Sequence, residues 1–148
     1  MLKLRKNKKG FTLVELIVVI AIMAVLAGTV AGVTVSQLNK NTDKTMGTEA
    51  KGVADFISTW IIENNIDLTA ADVTTLDSIK TAGENGQKLM DALTAQYGDK
   101  VATTKVKGKT LGVSFAESKI TVEYEGKTNK GSAKYTINAE GIVKKEEA

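Results

Sequence analysis

The 148-residue chain has room for one modest domain and carries 20 basic and 17 acidic side chains, a formal net charge of +3. It contains no Cys and no His. Neither a Cys nucleophile, a Ser–His pair nor a zinc site of His or Cys ligands can therefore be built. The carboxylates are scattered and show no calcium-loop spacing. We expect no catalytic residue, no cofactor, no metal site and no disulfide.

The chain opens with a strongly basic leader, residues 1–10. It holds five positive charges and no negative one, followed by a glycine: Lys3, Arg5, Lys6, Lys8, Lys9 and Gly10. Without the leader, the remaining 138 residues carry 15 basic and 17 acidic side chains, a net charge of −2. The basicity is therefore a targeting feature, and binding of nucleic acid through net charge is not expected.

A hydrophobic segment follows, beginning abruptly at Phe11 and containing a single acid, Glu15. The 20 residues from Leu16 to Val35 carry no charge. A helix of that length spans the roughly 30 Å hydrocarbon core of a bilayer, with the basic leader on the cytoplasmic side. A carboxylate in such a helix costs on the order of 2.5–3.5 kcal/mol at the bilayer centre and less near the interface. We therefore expect Glu15 to have a role that offsets this cost.

This combination of a basic leader, Gly10, the run Phe11-Thr12-Leu13-Val14-Glu15-Leu16 and an apolar helix resembles the prepilins of type IV pili and related filaments. The resemblance covers about the first third of the chain. It implies that a prepilin peptidase cuts between Gly10 and Phe11 and then methylates the Phe11 amine. It also implies that Glu15 pairs with the N-terminal ammonium of a neighbouring subunit. Pairing of Glu15 with the Phe11 amine of its own chain is the alternative for a lone subunit.

Three other interpretations explain less of this N-terminus. In an ordinary secretory signal peptide cut near Ala27, Glu15 would burden the apolar core, and the apolar run continues to Val35. A plain membrane anchor gives no role to Gly10-Phe11 or to Glu15. A lipoprotein needs a Cys, and a proline-containing wall-sorting signal needs a Pro; the chain has neither.

The helix is predicted to continue through the polar residues 36–45, because no proline occurs to break it. Further on, five apolar residues share one helix face: Val53, Phe56, Ile57, Trp60 and Ile61. We predict one helix from Phe11 to Ile62, whose second half packs under a globular head with Trp60 in the core. In the apolar half, the spacing of Ala24, Gly28 and Gly32 favours close helix packing. The alternative is that glycine is simply common in membrane helices.

The remaining sequence predicts two short helices and then a sheet. Thr69-Ala70-Ala71-Asp72 resembles a capping box before a helix over 73–79, and a second helix ends at Gly98. Alternating apolar residues then mark three strands and a short fourth: Leu111, Val113 and Phe115; Ile120, Val122 and Tyr124; Tyr135 and Ile137; Ile142 and Val143. We expect an antiparallel meander that covers the apolar stripe of the long helix.

The predicted fold class is α+β, a long N-terminal helix with a small antiparallel sheet as its head. The predicted segments are the leader 1–10, the transmembrane or filament-core helix 11–35, its amphipathic continuation 36–62, a variable connection 63–99 and the sheet 100–148. The absence of a disulfide departs from many Gram-negative type IV pilins. In those pilins the disulfide closes a C-terminal loop. Because this chain cannot form the disulfide, the adhesive role of that loop cannot simply be carried over to it.

The resemblance implies a structural subunit, first of all the major pilin of a type IV pilus. Alternatives are a pseudopilin of a type II secretion or competence DNA-uptake system, and a minor tip pilin that binds DNA or a surface. The implied partners are copies of the chain itself, prepilin peptidase, the pilus assembly platform, other pilins and, before assembly, membrane lipid. The implied location is the cytoplasmic membrane for the prepilin and the cell surface for the assembled pilus.

Overall fold

A computed structural model of the chain describes residues 10–83, 86–128 and 130–147, so the predicted leader, except for Gly10, lies outside the described residues. The helices are α1 (Leu13–Glu63) and α2 (Leu89–Tyr97). The strands are β1 (Val101–Ala102), β2 (Leu111–Ala116), β3 (Lys119–Tyr124), β4 (Ala133–Ile137) and β5 (Val143–Glu146). The chain divides into two compact units, one ending at Leu38 and the other, the head, beginning at Asn39.

Helix α1 is continuous over 51 residues, as the absence of proline predicts. It ends in a Schellman motif. Asn65 takes a left-handed conformation with φ 51°, its N–H donates to the Ile62 carbonyl, and the Ile66 N–H donates to the Ile61 carbonyl. These bonds satisfy carbonyls that the end of a helix leaves unpaired. Helix α1 thus ends one residue beyond the predicted end at Ile62.

The buried stripe of α1 begins earlier than the sequence indicates. Val53, Ile57, Trp60 and Ile61 are buried as predicted, and Phe56 is half-buried with its ring edge-on to Tyr97 at a centroid distance of 5.9 Å. The stripe extends towards the N-terminus through three further buried residues spaced three or four apart: Asp43, Met46 and Ala50. The polar segment 36–45 therefore also contributes a buried residue, Asp43.

The head has a five-stranded sheet in the order β1-β2-β3-β4-β5, with antiparallel pairing from β2 to β5. The β2–β3 hairpin turns at Glu117 and Ser118, both with positive φ, between the two predicted strands. Alternate strand residues join the α1 stripe in one core: Leu111, Val113, Ile120, Val122, Tyr124, Ala133, Tyr135 and Ile137. The predicted α+β fold class is confirmed.

Two details differ from the expected head. The sheet is not wholly antiparallel, because β1 pairs with Leu111 and Gly112 of β2 in parallel. The helix predicted over 73–79 is wrong, and a 3-10 turn at Leu76–Ser78 stands in its place. The Asp67 carboxylate accepts two hydrogen bonds from Thr69, and Ser78 Oγ accepts the N–H groups of Thr74 and Thr75. Side chains thus bind the local backbone and compete with the helix. The second predicted helix is confirmed as α2.

Asp43 is a buried carboxylate that joins α1 to the loop after β3. It is 4% exposed. Its Oδ1 accepts bonds from the Tyr124 hydroxyl (2.9 Å) and the Lys127 N–H (2.8 Å). Its Oδ2 accepts bonds from the Thr128 N–H (2.8 Å) and hydroxyl (2.6 Å). A side chain on Gly131 would collide with this carboxylate. Four donors, rather than a cation, therefore compensate the buried charge.

The same contacts set the pKa values of both buried partners. Burial acts to raise the pKa of Asp43, but the bonds from Thr128, Lys127 and Tyr124 outweigh it and lower the pKa to about 2. Burial and the bond to Asp43 together raise the pKa of Tyr124 to about 12. Asp43 is thus charged in the folded head at any physiological pH.

We predict that Asp43→Asn destabilises the head by about 3 kcal/mol at neutral pH, since the amide group faces donors that then lack an acceptor. The measurement is urea unfolding of a head fragment beginning at Gln37, which we expect to be soluble and monomeric. Asp55→Asn is the matched control. Asp55 lies on the same helix in an exposed ion pair with Lys51, and its loss should cost less than about 0.5 kcal/mol.

The difference between wild type and Asp43→Asn should also depend on pH. The pKa of Asp43 is depressed on folding, so its contribution to stability is complete above its unfolded pKa of about 4. That contribution is lost as the pH falls towards the folded value of about 2. The two proteins should therefore converge in stability between these pH values. A gap that is constant with pH would show that the charge of Asp43 is not what stabilises the loop.

Candidate functional site

The junction between the leader and α1 is exposed and non-helical. Residues 10–12 precede the first turn of α1, which begins at Leu13. Open space surrounds Gly10, and Phe11 is 88% exposed. A protease binds an extended, accessible backbone more readily than a helical one, because a helix pairs its own N–H and C=O groups. The two residues of the predicted cut, Gly10 and Phe11, thus lie in an accessible segment.

Thr12 and Glu15 form a capping box at the start of α1. Glu15 Oε2 accepts the Thr12 N–H and the Thr12 hydroxyl, both at 2.8 Å, and Thr12 Oγ1 accepts the Glu15 N–H at 3.2 Å. Such a box satisfies donors that the first turn of a helix leaves unpaired. The spacing Thr-x-x-Glu is visible in the sequence, but sequence reasoning assigned Glu15 to assembly and missed this second role.

The capping box leaves part of the Glu15 carboxylate available. Within the described residues its Oε1 accepts no hydrogen bond, and both bonds to Oε2 come from Thr12. From Gly10 to Asn39 the sequence contains no basic side chain. Residues 10–39 therefore supply no side-chain counter-ion for Glu15.

The apolar half of α1 is exposed along its whole length. Ala24, Gly28 and Gly32 lie on it at four-residue spacing, and nothing in the described part of the chain contacts the two glycines. Thr29 and Thr34 donate their hydroxyls to the carbonyls of Leu26 and Val30, both at 2.9 Å. These polar groups therefore need no partner outside the helix. The helix is long and apolar enough to cross a membrane.

Clusters of acidic side chains are the remaining way to hold a metal ion in a chain without His or Cys. Over 10–83, 86–128 and 130–147, no three acidic side chains lie close enough together to share a metal ion. The functional features that the structure does bring together are the accessible junction, the capped carboxylate and the exposed apolar surface.

Comparison with known protein families finds the prokaryotic N-terminal methylation motif at residues 5–31. The matched residues include the end of the leader, the junction, Glu15 and most of the apolar segment 11–35. The match confirms the resemblance to prepilins that the same residues carry. No curated protein and no solved structure matches the chain significantly.

We predict that Thr12→Val loosens the first turn of α1, because it removes the hydroxyl that both caps the Glu15 N–H and binds its carboxylate. Loss of such a cap costs about 1 kcal/mol. Amide hydrogen exchange at Glu15, followed by NMR on the full chain in detergent micelles, should become several-fold faster. Thr29→Val is the control, since that hydroxyl binds a carbonyl within the helix and caps nothing. Unchanged exchange in Thr12→Val would contradict the capping role.

Proposed function

We propose that this type IV pilin-like prepilin with a class III signal peptide is the major structural subunit of a type IV pilus. The methylation motif points to a structural protein rather than an enzyme. The observation that supports a polymer most strongly is the exposed apolar half of α1, from Leu13 to Val35. In the proposal, lipid covers this surface in the prepilin and copies of the same helix cover it in the fibre.

Assembly through identical helices accounts for an open-ended product. A contact that joins two different surfaces of the same chain forms a ring if its rotation closes and an open fibre if it does not. Small residues at Ala24, Gly28 and Gly32 would let neighbouring helices approach closely in this apolar core. In the proposal, cleavage between Gly10 and Phe11 removes the leader before the helix joins such an array.

Glu15 would fix the register of neighbouring helices. Cleavage after Gly10 turns the Phe11 nitrogen from an amide into an ammonium, which prepilin peptidase then methylates. The ammonium of a neighbouring subunit can supply the counter-ion that residues 10–39 lack. The Thr12 bonds to Oε2 would hold the carboxylate in place, with Oε1 open to the incoming cation.

The processing step gives the first prediction of this proposal. The mature subunit in sheared surface fibres should begin at Phe11, carry one N-methyl group and lack the ten leader residues. Intact-mass analysis with N-terminal sequencing measures this. A mature terminus beyond Ala27, or a retained leader, would contradict the proposal. If the subunit is only a trace component of those fibres, a minor pilin or pseudopilin role replaces that of the major pilin.

The second prediction concerns Glu15→Ala. Membrane insertion should remain intact or improve, because a costly carboxylate leaves the apolar segment. Fibre yield should fall about tenfold or more when the variant is the only copy, since the neighbour's ammonium loses its partner. The measurement compares subunit abundance in membranes with abundance in sheared fibres.

The two effects of Glu15→Ala have opposite directions, which a general folding defect cannot produce. Glu147→Ala is the matched control, because it removes an exposed acid near the other end of the chain and should change neither quantity. A normal fibre yield from Glu15→Ala would eliminate the pairing. Loss of the membrane pool would instead show that Glu15 is needed for the stability of the lone subunit.

A further inference from the structure

The fold gathers lysines that are far apart in the sequence around one groove of the head. The groove has a volume of about 420 Å³, and five lysines line it: Lys40, Lys44, Lys51, Lys130 and Lys145. The first three lie on α1, Lys130 follows β3 and Lys145 lies on β5. We call it the basic groove. Up to 105 residues separate these lysines along the chain, so the sequence does not show that they lie together.

Most of this positive charge is unmatched within the described chain. Lys51 forms an ion pair with Asp55 at 2.6 Å. For Lys40, Lys44, Lys130 and Lys145, the described residues provide no ion-pair partner. Asp43 also lines the groove and is charged, so it offsets one of these positive charges and the groove keeps a net positive charge. The basic groove therefore attracts an acidic partner from outside the chain.

The opposite charge collects at the other end of the head. Between Lys51 and Lys80 the sequence has five acids and no basic residue. Two of them, Asp55 and Asp77, face the cations of Lys51 and Lys88. The other three are exposed and have no ion pair among the described residues: Glu63, Asp67 and Asp72. These three residues, at the C-terminal end of α1 and in the loop after it, form what we call the acidic end. Lys80 lines the same pocket as Asp67 and Asp72, so the three acids and Lys80 together carry a net charge of −2.

The basic groove and the acidic end cannot meet within one head. Lys44 and Glu63 lie 19 residues apart on one continuous helix, and at 1.5 Å per residue this places them about 28 Å apart along its axis. We infer that the basic groove of one subunit binds the acidic end of a second copy, so that the heads of successive subunits contact each other through two different surfaces. The inference rests on the proposed fibre, because a contact between two different surfaces of one chain can repeat from copy to copy along a filament.

This contact would join different neighbours from those joined by Glu15. Glu15 follows Phe11 by four residues. Pairing Glu15 with the Phe11 ammonium of a neighbour therefore requires parallel helices to be staggered by about 6 Å. The head contact requires a stagger of about 28 Å along the helix. The two contacts therefore link a subunit to separate copies, and each can be lost without the other.

A second copy fits the groove better than a nucleic acid does. The chain without its leader has a net charge of −2, which disfavours a polyanion at longer range. The aromatic residue in the groove, Tyr135, is 8% exposed, so it offers no face on which a base could stack. The acidic end carries charge complementary to the groove and is present at equal concentration in the fibre.

Charge reversal with rescue tests the contact on the full chain as the only copy in the cell. Lys40→Glu with Lys44→Glu should lower the yield of sheared fibres about tenfold and leave the membrane pool unchanged, since like charges would then face each other. Glu63→Lys with Asp72→Lys should do the same. Combining all four substitutions should restore most of the yield. Lys109→Glu with Lys119→Glu is the control, because it makes the same charge change at exposed lysines outside the groove.

A crosslinking measurement locates the contact directly, since the chain has no native Cys. Fibres built from two chains, one with Lys44→Cys and one with Asp72→Cys, should give dimers with a short bifunctional thiol reagent. Fibres that combine Lys119→Cys with Asp72→Cys should not. Absence of the expected dimer, or normal fibres from the groove reversal, would overturn the inference.

The results of these experiments distinguish a failure of the groove contact from a failure of the proposed pilin function. If the wild-type chain does not occur in surface fibres, the proposed function fails. If it does occur there and groove reversal leaves the fibres normal while abolishing retention of DNA on them, the groove binds nucleic acid rather than a second copy.

Discussion

The apolar half of α1 is exposed, and this surface has to be covered by other molecules. Sixteen large apolar side chains between Phe11 and Leu38 are exposed, from 45% at Val19 to 88% at Phe11. Burial of one such side chain is worth about 1.5–3 kcal/mol, so covering the set is worth tens of kcal/mol. The whole folding free energy of a domain is only about 5–15 kcal/mol. Covering this surface therefore dominates the energetics, and lipid or other apolar helices must provide the cover.

Two carboxylates on α1, Asp43 and Glu15, receive their hydrogen bonds from different parts of the chain. Asp43 receives four donors from the head, and these keep it charged and buried without a cation. Glu15 receives its donors from Thr12 alone and keeps one oxygen open. The first arrangement is complete within one chain and stabilises the head. The second is incomplete within the described residues, as expected of a group that finds its last partner when subunits meet.

Sequence periodicity predicted the elements whose burial repeats along the chain. The apolar half of α1, the Val53–Ile61 stripe, helix α2 and the three main strands each show a regular pattern, and the structure contains them all. Asp43 was not predictable, because its burial depends on Tyr124, Lys127 and Thr128, more than 80 residues away in sequence. Strand β1 is too short, at two residues, to show alternation. The false helix after Thr69 arose from reading a local capping signal without the competing Asp67 and Ser78 side-chain bonds. The basic groove exists only once β5 and the loop after β3 lie beside α1.

In the proposed fibre, copies of the apolar half of α1 cover one another. Electron cryomicroscopy of fibres sheared from the native cell would reveal this packing. We expect a core of closely packed helices formed by residues 11–35, with the Glu15 carboxylate of one subunit within ion-pair distance of the Phe11 ammonium of the next. Fibres in which this segment is absent, faces solvent, or places Glu15 away from every N-terminus would contradict this expectation.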